Sequence, residues 1–219
     1  MQFFRYVVPF LLVVAINVPE AGGLPVSILT FGAGDSTGRK QFLGKSITEM
    51  VTVDLVGVQG ITLIERSDME KILKEQALSL SGAFDESEVP QIGKLIGAKY
   101  LVYGTYTVQR RRINVTYKIS EVETGVVRGG ATVSGRLRQF MALKNKLAGS
   151  IYSSLRSVTA GLGPFAIPPA DATISVDDAE NYGKALDFSD RGEYENARTN
   201  YPGSQYLSPM RRLADMIPE

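Results

Sequence analysis

The sequence predicts an α+β fold: a mixed sheet with packed helices in the order β-α-β-α-α-β-β-β-α, followed by a small helical hairpin. Three stretches carry the prediction. Residues Ile61 to Thr105 read as strand, capped helix, turn, second capped helix and strand. Leu43, Ile47, Val51 and Leu55 recur every fourth residue, with Met50 and Val58 on the same face of a helix. Beyond Tyr100, three strand-like runs are followed by a long helical stripe.

The elements follow in chain order. Leu24 to Phe31 is a short β-branched run ending in the breaker Gly32-Ala33-Gly34, as suits a buried first strand. The helix behind it is predicted from about Arg39 to Val58, with Gly60 ending it and Ile61 to Ile64 as the second strand. Ser67-Asp68-Met69-Glu70 has the form of a capping box, in which the Ser hydroxyl and the Glu carboxylate satisfy each other's backbone N–H groups. Its helix sets Met69, Ile72, Leu73, Gln76 and Leu80 on one side, with Glu70–Lys74 and Lys71–Glu75 as i,i+4 ion pairs opposite. Ser81-Gly82 closes it. Ser87, Glu88 and Pro90 open a short third helix carrying Ile92, Leu95 and Ile96, stopped by Gly97.

Tyr100 to Val108 is apolar on both faces near its start, the pattern of a central strand. Ile113, Val115, Tyr117 and Ile119 alternate with Asn114, Thr116, Lys118 and Ser120, so this strand is half exposed. Glu123-Thr124-Gly125 is a hairpin loop with Gly where φ > 0 is needed, and Val126 to Val133 returns beside it. A helix from about Arg138 to Val158 places Phe140, Leu143, Leu147, Ile151 and Leu155 on one stripe.

Four segments result: a signal peptide at 1–23, the α/β domain at 24–160, a Pro/Gly-rich linker at 161–176 and a helical segment at 177–219. In the first, Arg5 precedes thirteen uncharged residues, Tyr6 to Val18, a run shorter than the roughly 20 apolar residues of a membrane-spanning helix. The small residues Ala21-Gly22-Gly23 place cleavage near Gly23, with an uncleaved anchor as the alternative.

Composition narrows the chemistry. Hydrophobic residues make up 44% of the 219, enough for a core of ordinary size. Lys plus Arg is 24 against 23 for Asp plus Glu, which argues against a dedicated nucleic-acid binder. There is no Cys, so disulfides, thiolate zinc sites, cysteine catalysis and lipid attachment at cysteine are excluded. The absence of His removes the commonest acid–base catalyst and metal ligand near neutral pH. No catalytic, cofactor-binding or metal-ligating residue is assigned, and the chain is expected not to be an enzyme.

Short motifs are better explained structurally. The loop Phe31 to Lys40, FGAGDSTGRK, follows a strand and precedes a helix, but Gly32 to Gly38 is one residue too long for a P-loop and Arg39 takes the Lys place. Asp85, Glu86 and Glu88 cluster at a helix N-terminus, where negative charge is favourable without any function. Asn114-Val115-Thr116 matches a glycosylation acceptor but lies inside an alternating strand.

Two surfaces remain as candidates. Arg110, Arg111 and Arg112 sit in a strand-to-strand turn, with Arg128, Arg136 and Arg138 further along; they could meet anionic headgroups or an acidic partner, or be a solvated tip that blocks edge-to-edge aggregation. In the C-terminal segment, Gly192, Tyr194, Ala197, Tyr201 and Pro209 fall at the offsets of a single tetratricopeptide hairpin, with Tyr182 ahead of them. One such unit must cover its apolar face with a partner or with its own domain, and Pro202 breaks its second helix early.

Glu65-Arg66-Ser67, Lys71 to Gln76 (KILKEQ), Leu78 to Gly82 (LSLSG), Ile92 to Ala98 (IGKLIGA), Tyr103-Gly104-Thr105 and Val122 to Gly125 (VETG) together form an ordered set. In this set the chain resembles the CsgG family, whose type member is a curli secretion channel, over about residues 24–158. The resemblance implies a periplasmic α/β domain of an architecture shared by LpoB and the N-terminal domain of TolB. It also implies a non-enzymatic, exported envelope protein acting in assembly or secretion, in the periplasm or at the outer membrane. Its partners would be envelope or secretion proteins, and, because family members oligomerise in rings, further copies of itself. The alternative it implies is an LpoB-like regulator that binds and activates a cell-wall synthase. A curli channel inserts one membrane hairpin before the strand matching Ile113–Ile119 and another after the next strand. Here only Gln109 to Arg112 separates the first pair, and Gly135-Arg136-Leu137 runs straight into the last helix, so no barrel of its own is expected.

Overall fold

A computed structural model describes residues 22–34, 40–75, 86–167 and 174–200. One mixed sheet organises them. Its strands are β1 (Leu24–Ile28), β2 (Gly32–Ala33), β3 (Ile61–Leu63), β4 (Tyr100–Gln109), β5 (Arg112–Glu121) and β6 (Val127–Arg136). The spatial order is β3-β1-β4-β5-β6, with β2 continuing along β4 beyond β1. β1 is parallel to β3 and β4, whereas β4, β5 and β6 form an antiparallel meander.

The period of two explains why β4 sits in the middle. Tyr100, Val102 and Tyr106 enter one core, and Leu101 and Tyr103 enter another on the opposite face. The first core is closed by α1 (Leu43–Leu55) and α4 (Phe140–Val158), the second by α2 (Arg66–Glu75) and α3 (Val89–Leu95). All four predicted α1 stripe residues and all five of α4 are buried. β5 keeps its alternation up to Ile119: Ile113, Val115, Tyr117 and Ile119 are buried, while on the other face Thr116 meets the Thr132 hydroxyl at 2.9 Å and Asn114 accepts from Ser134 at 2.7 Å. Ser120, expected to be exposed, is instead buried by the second core, 3.0 Å from the Tyr103 hydroxyl. Gly125 turns the β5–β6 loop at φ 69°, as predicted. Among the described residues no helix is long and apolar enough to cross a membrane.

Some boundaries differ from the sequence expectation. The first strand is broken into β1 and β2 because a side chain replaces part of its ladder. Thr48 on α1 accepts from the Phe31 N–H at 3.1 Å and donates to the Leu29 carbonyl at 3.3 Å. α1 is shorter than predicted, although Val58 beyond it is buried. In α3, Leu95 is 40% exposed, because Val89 and Ile92 already fill the space against the sheet. Glu86 and Glu88 lie in the 3₁₀ turn before α3, where Glu88 occupies the N-cap position without a side-chain cap bond. The side chains of Ser67, Glu70, Leu73, Lys74 and Glu75, and with them the expected capping box and both ion pairs, lie outside the described residues, as does the whole of residues 35–39 and 76–85. The predicted linker begins as irregular chain laid on the domain: Leu162 and Phe165 pack against the core, and Phe165 stacks on Tyr152 at 5.0 Å.

Candidate functional site

The C-terminal hairpin consists of α5 (Val176–Asp190) and α6 (Tyr194–Asn200). Ser175 and Asp178 start α5 with a reciprocal capping box that sequence reading overlooked: the Ser hydroxyl accepts from Asp178 N–H, and the Asp carboxylate accepts from Ser175 N–H, both at 3.1 Å. Ala179, Tyr182 and Leu186 share one face at helical spacing and join the main core beside α1. The hairpin therefore covers its apolar face with its own domain.

The approach is close. A Cβ on Gly183 would lie 2.0 Å from the Phe42 carbonyl oxygen, so only glycine lets α5 reach the start of α1. Glu180 accepts from the Phe42 N–H at 3.1 Å. Around this contact, Lys40 pairs with Asp177, and Lys45 pairs with Asp187 at 3.0 Å and Asp190 at 2.7 Å. Arg66 reaches across from α2 to grip Asp190 with two N–H groups, at 2.6 and 3.0 Å, and its Nε lies 3.4 Å from Glu49 on α1. These charges join three helices from distant parts of the chain.

Of the five residues predicted to face a partner, Tyr182 is buried against α1 and Ala197 is buried where α6 lies along α5. Gly192 forms the exposed turn at φ 76°, Tyr194 is 39% exposed, and Tyr201 lies outside the described residues.

Burial raises the Glu180 carboxyl above its ordinary 4.5, against the opposing effects of the Phe42 N–H, Lys40 and Lys184. Because the folded value is the higher one, the stability from protonation is complete below 4.5 and is lost as pH rises through the raised value. Glu180→Gln removes this titration. Wild type is therefore expected to lose stability relative to Glu180→Gln as pH rises from about 4 to about 7, which thermal unfolding across that range measures as a difference in slope. A constant difference would contradict the assigned burial.

The arginines form the second surface. Arg110 and Arg111 are the two-residue turn between β4 and β5, tied to β6 by the Leu137 N–H donating to the Arg111 carbonyl at 3.0 Å. The β5–β6 register sets Arg112 directly opposite Arg136, with Arg138 just beyond. All five are exposed, and none has an ion-pair partner among the described residues. Gln109, the turn arginines, Arg112 and Asn114 line an open concavity of about 840 Å³. Arg128 goes to the other end of the sheet, where it grips Glu121 at 2.6 Å and holds that carboxyl below its usual range.

The sequence-family model described as "Curli production assembly/transport component CsgG" matches residues 27–139. No curated protein sequence matches. Among solved structures, the LpoB C-terminal domain from Escherichia coli is 15% identical, with 52% of this chain and 82% of that chain covered and a TM-score of 0.40. TolB from Acinetobacter baumannii is 13% identical at a TM-score of 0.43, over 62% of this chain and 29% of that one. The PelC dodecamer from Paraburkholderia phytofirmans is 16% identical at 0.34, over 64% and 89%. The family match spans β1 through the turn before α4, more than half of the sequence, and the chain belongs to the CsgG family.

Proposed function

We propose that this chain is a non-enzymatic protein of the bacterial envelope that acts in assembly or secretion by docking to other components, without a membrane barrel of its own. One observation supports the reading above the others. The two connections where a curli channel would insert its membrane hairpins are short: β4 passes to β5 through Arg110-Arg111, and β6 passes to α4 through the single turn Leu137–Gln139. A transmembrane strand needs about 9–11 residues. The N-terminal 1–23 segment directs export, and the mature chain works in the periplasm or at the outer membrane.

Light scattering on the mature chain, with crosslinking pull-down from detergent-solubilised envelope, tests the proposal. A discrete oligomer or a recovered envelope partner is the expected result. A monomer that recovers no partner overturns it. A monomer that instead raises the transglycosylase rate of a purified cell-wall synthase transfers the chain to the LpoB-like regulatory reading.

A further inference from the structure

We propose that the arginine end of the sheet, Arg110, Arg111, Arg112, Arg136 and Arg138, docks a carboxylate-rich segment of a partner protein. The inference rests on the docking reading above and names its surface and the partner's chemistry.

Two independent costs to stability meet at this tip. Like charges directly opposite on paired strands are destabilising, and Arg112 faces Arg136. Arg110 has φ 54°, the left-handed region in which a residue with a Cβ is disfavoured, and it is the one non-glycine so placed among the described residues. A solvated tip that only blocks aggregation requires neither feature. Lys40, Lys45, Arg66, Arg128 and Lys144 are in ion pairs, and exposed cations without one among the described residues, such as Lys146 and Arg156, are not gathered into a cluster of five. The tip arginines have no ion pair among the described residues, and the Leu137–Arg111 bond ties their turn to the residue that follows β6, so the backbone carrying the cluster is set before any partner arrives.

Guanidinium forks match carboxylates in a two-bond geometry, and the amides of Gln109 and Asn114 border the same concavity. A lipid surface fits less well for two reasons. Stable bilayer attachment combines basic residues with an inserted apolar group, and the exposed large apolar side chains among the described residues, Val56, Leu95, Val126, Val127, Ile167 and Tyr194, lie on other segments. In addition, β1 enters the sheet beside Tyr100, at the start of β4, so the N-terminal segment joins the domain about 30 Å from the turn at the far end of that strand.

The test uses the full chain and a fluorescein-labelled oligoglutamate peptide, read by fluorescence anisotropy, with oligoglutamine as the uncharged control. Co-sedimentation with phosphatidylglycerol vesicles runs in parallel. Oligoglutamate is expected to bind, and Arg112→Ala with Arg136→Ala to weaken it about fivefold. The exposed control pair Lys146→Ala with Arg156→Ala is expected to leave binding unchanged. Arg110→Gly is expected to raise the melting temperature while weakening peptide binding, a divergence that a purely structural turn residue would not produce. Absent oligoglutamate binding, equal loss in the control pair, or arginine-dependent vesicle binding without peptide binding overturns the proposal. Because the assay requires neither oligomer nor natural partner, a monomer that recovers no envelope partner yet binds the peptide through these arginines sinks the assembly reading alone.

Discussion

Arg66→Met is expected to destabilise the protein by about 3–5 kcal/mol, the range for removing one member of a buried ionic group. Arg66 is 2% exposed at the start of α2, and its guanidinium is the shared counter-charge of Glu49 on α1 and Asp190 at the end of α5. Without it, the buried Glu49 carboxylate lacks this cation, and Asp190 keeps Lys45 at 2.7 Å. The loss should fall unevenly, with amide exchange rising first across 174–200, because Arg66 holds α5 from the α2 side. Arg66→Lys should recover only part of the stability, since an ammonium restores the charge but not the two-pronged grip. Denaturant unfolding with hydrogen exchange checks this, and a loss below about 1 kcal/mol would mean that the network contributes little.

A second deep pair predicts an effect of similar size inside the α/β core. Lys144 on α4 donates to both carboxylate oxygens of Asp54 on α1, at 2.9 and 2.7 Å, and both side chains are within 5% of full burial. Burial pushes the Asp54 carboxyl above 3.8, and the Lys144 bond and charge pull it back. Lys144→Met leaves the desolvation unopposed, at an expected cost of about 3 kcal/mol near neutral pH. The folded carboxyl then titrates still higher, so the penalty is absent below the unfolded value of 3.8 and appears as pH rises through the folded one. Unfolding at about pH 4 and about pH 7 should therefore give a small and a large deficit respectively. Asp54→Leu combined with Lys144→Met should recover most of the loss, because a well-packed apolar pair removes both desolvation costs. If the double variant is no better than the single, the site depends on geometry and not on charge.

Much of the architecture was written in local patterns. The stripes of α1 and α4 repeat at the helical period, β5 alternates at the strand period, and Gly125 stands where a loop needs positive φ. Each of these is a one-dimensional signal of which face must leave water. The order of elements and the half exposure of β5 followed from them, whereas the family resemblance rested on an ordered set of short motifs.

The second candidate surface shows where such signals stop. Arg136 was visible as a residue but not as the neighbour of Arg112. The pairing Ser120↔Val127, carried regularly down the strands, sets Gly135 opposite Arg112; an irregularity between Ile119 and Ser120 moves the register by one and brings Arg136 there instead. The one-residue shift leaves no mark in the sequence because β6, largely exposed and Gly-containing, carries no apolar alternation that would reveal it.

By itself, the sequence determined the helices and strands, their buried stripes and the absence of cysteine and histidine chemistry. These depend on residue type and on spacing along one element. Tertiary structure alone decided that Ser46, Glu49 and Thr52, polar residues on α1, are buried, and that Arg66 and Lys144 are buried beside it. α1 is covered on one side by the sheet and on another by α5, a helix more than 120 residues further along the chain. A charge is stable in such a place only when its counter-charge arrives from another element, and that meeting is set by packing between distant segments, which no local pattern records.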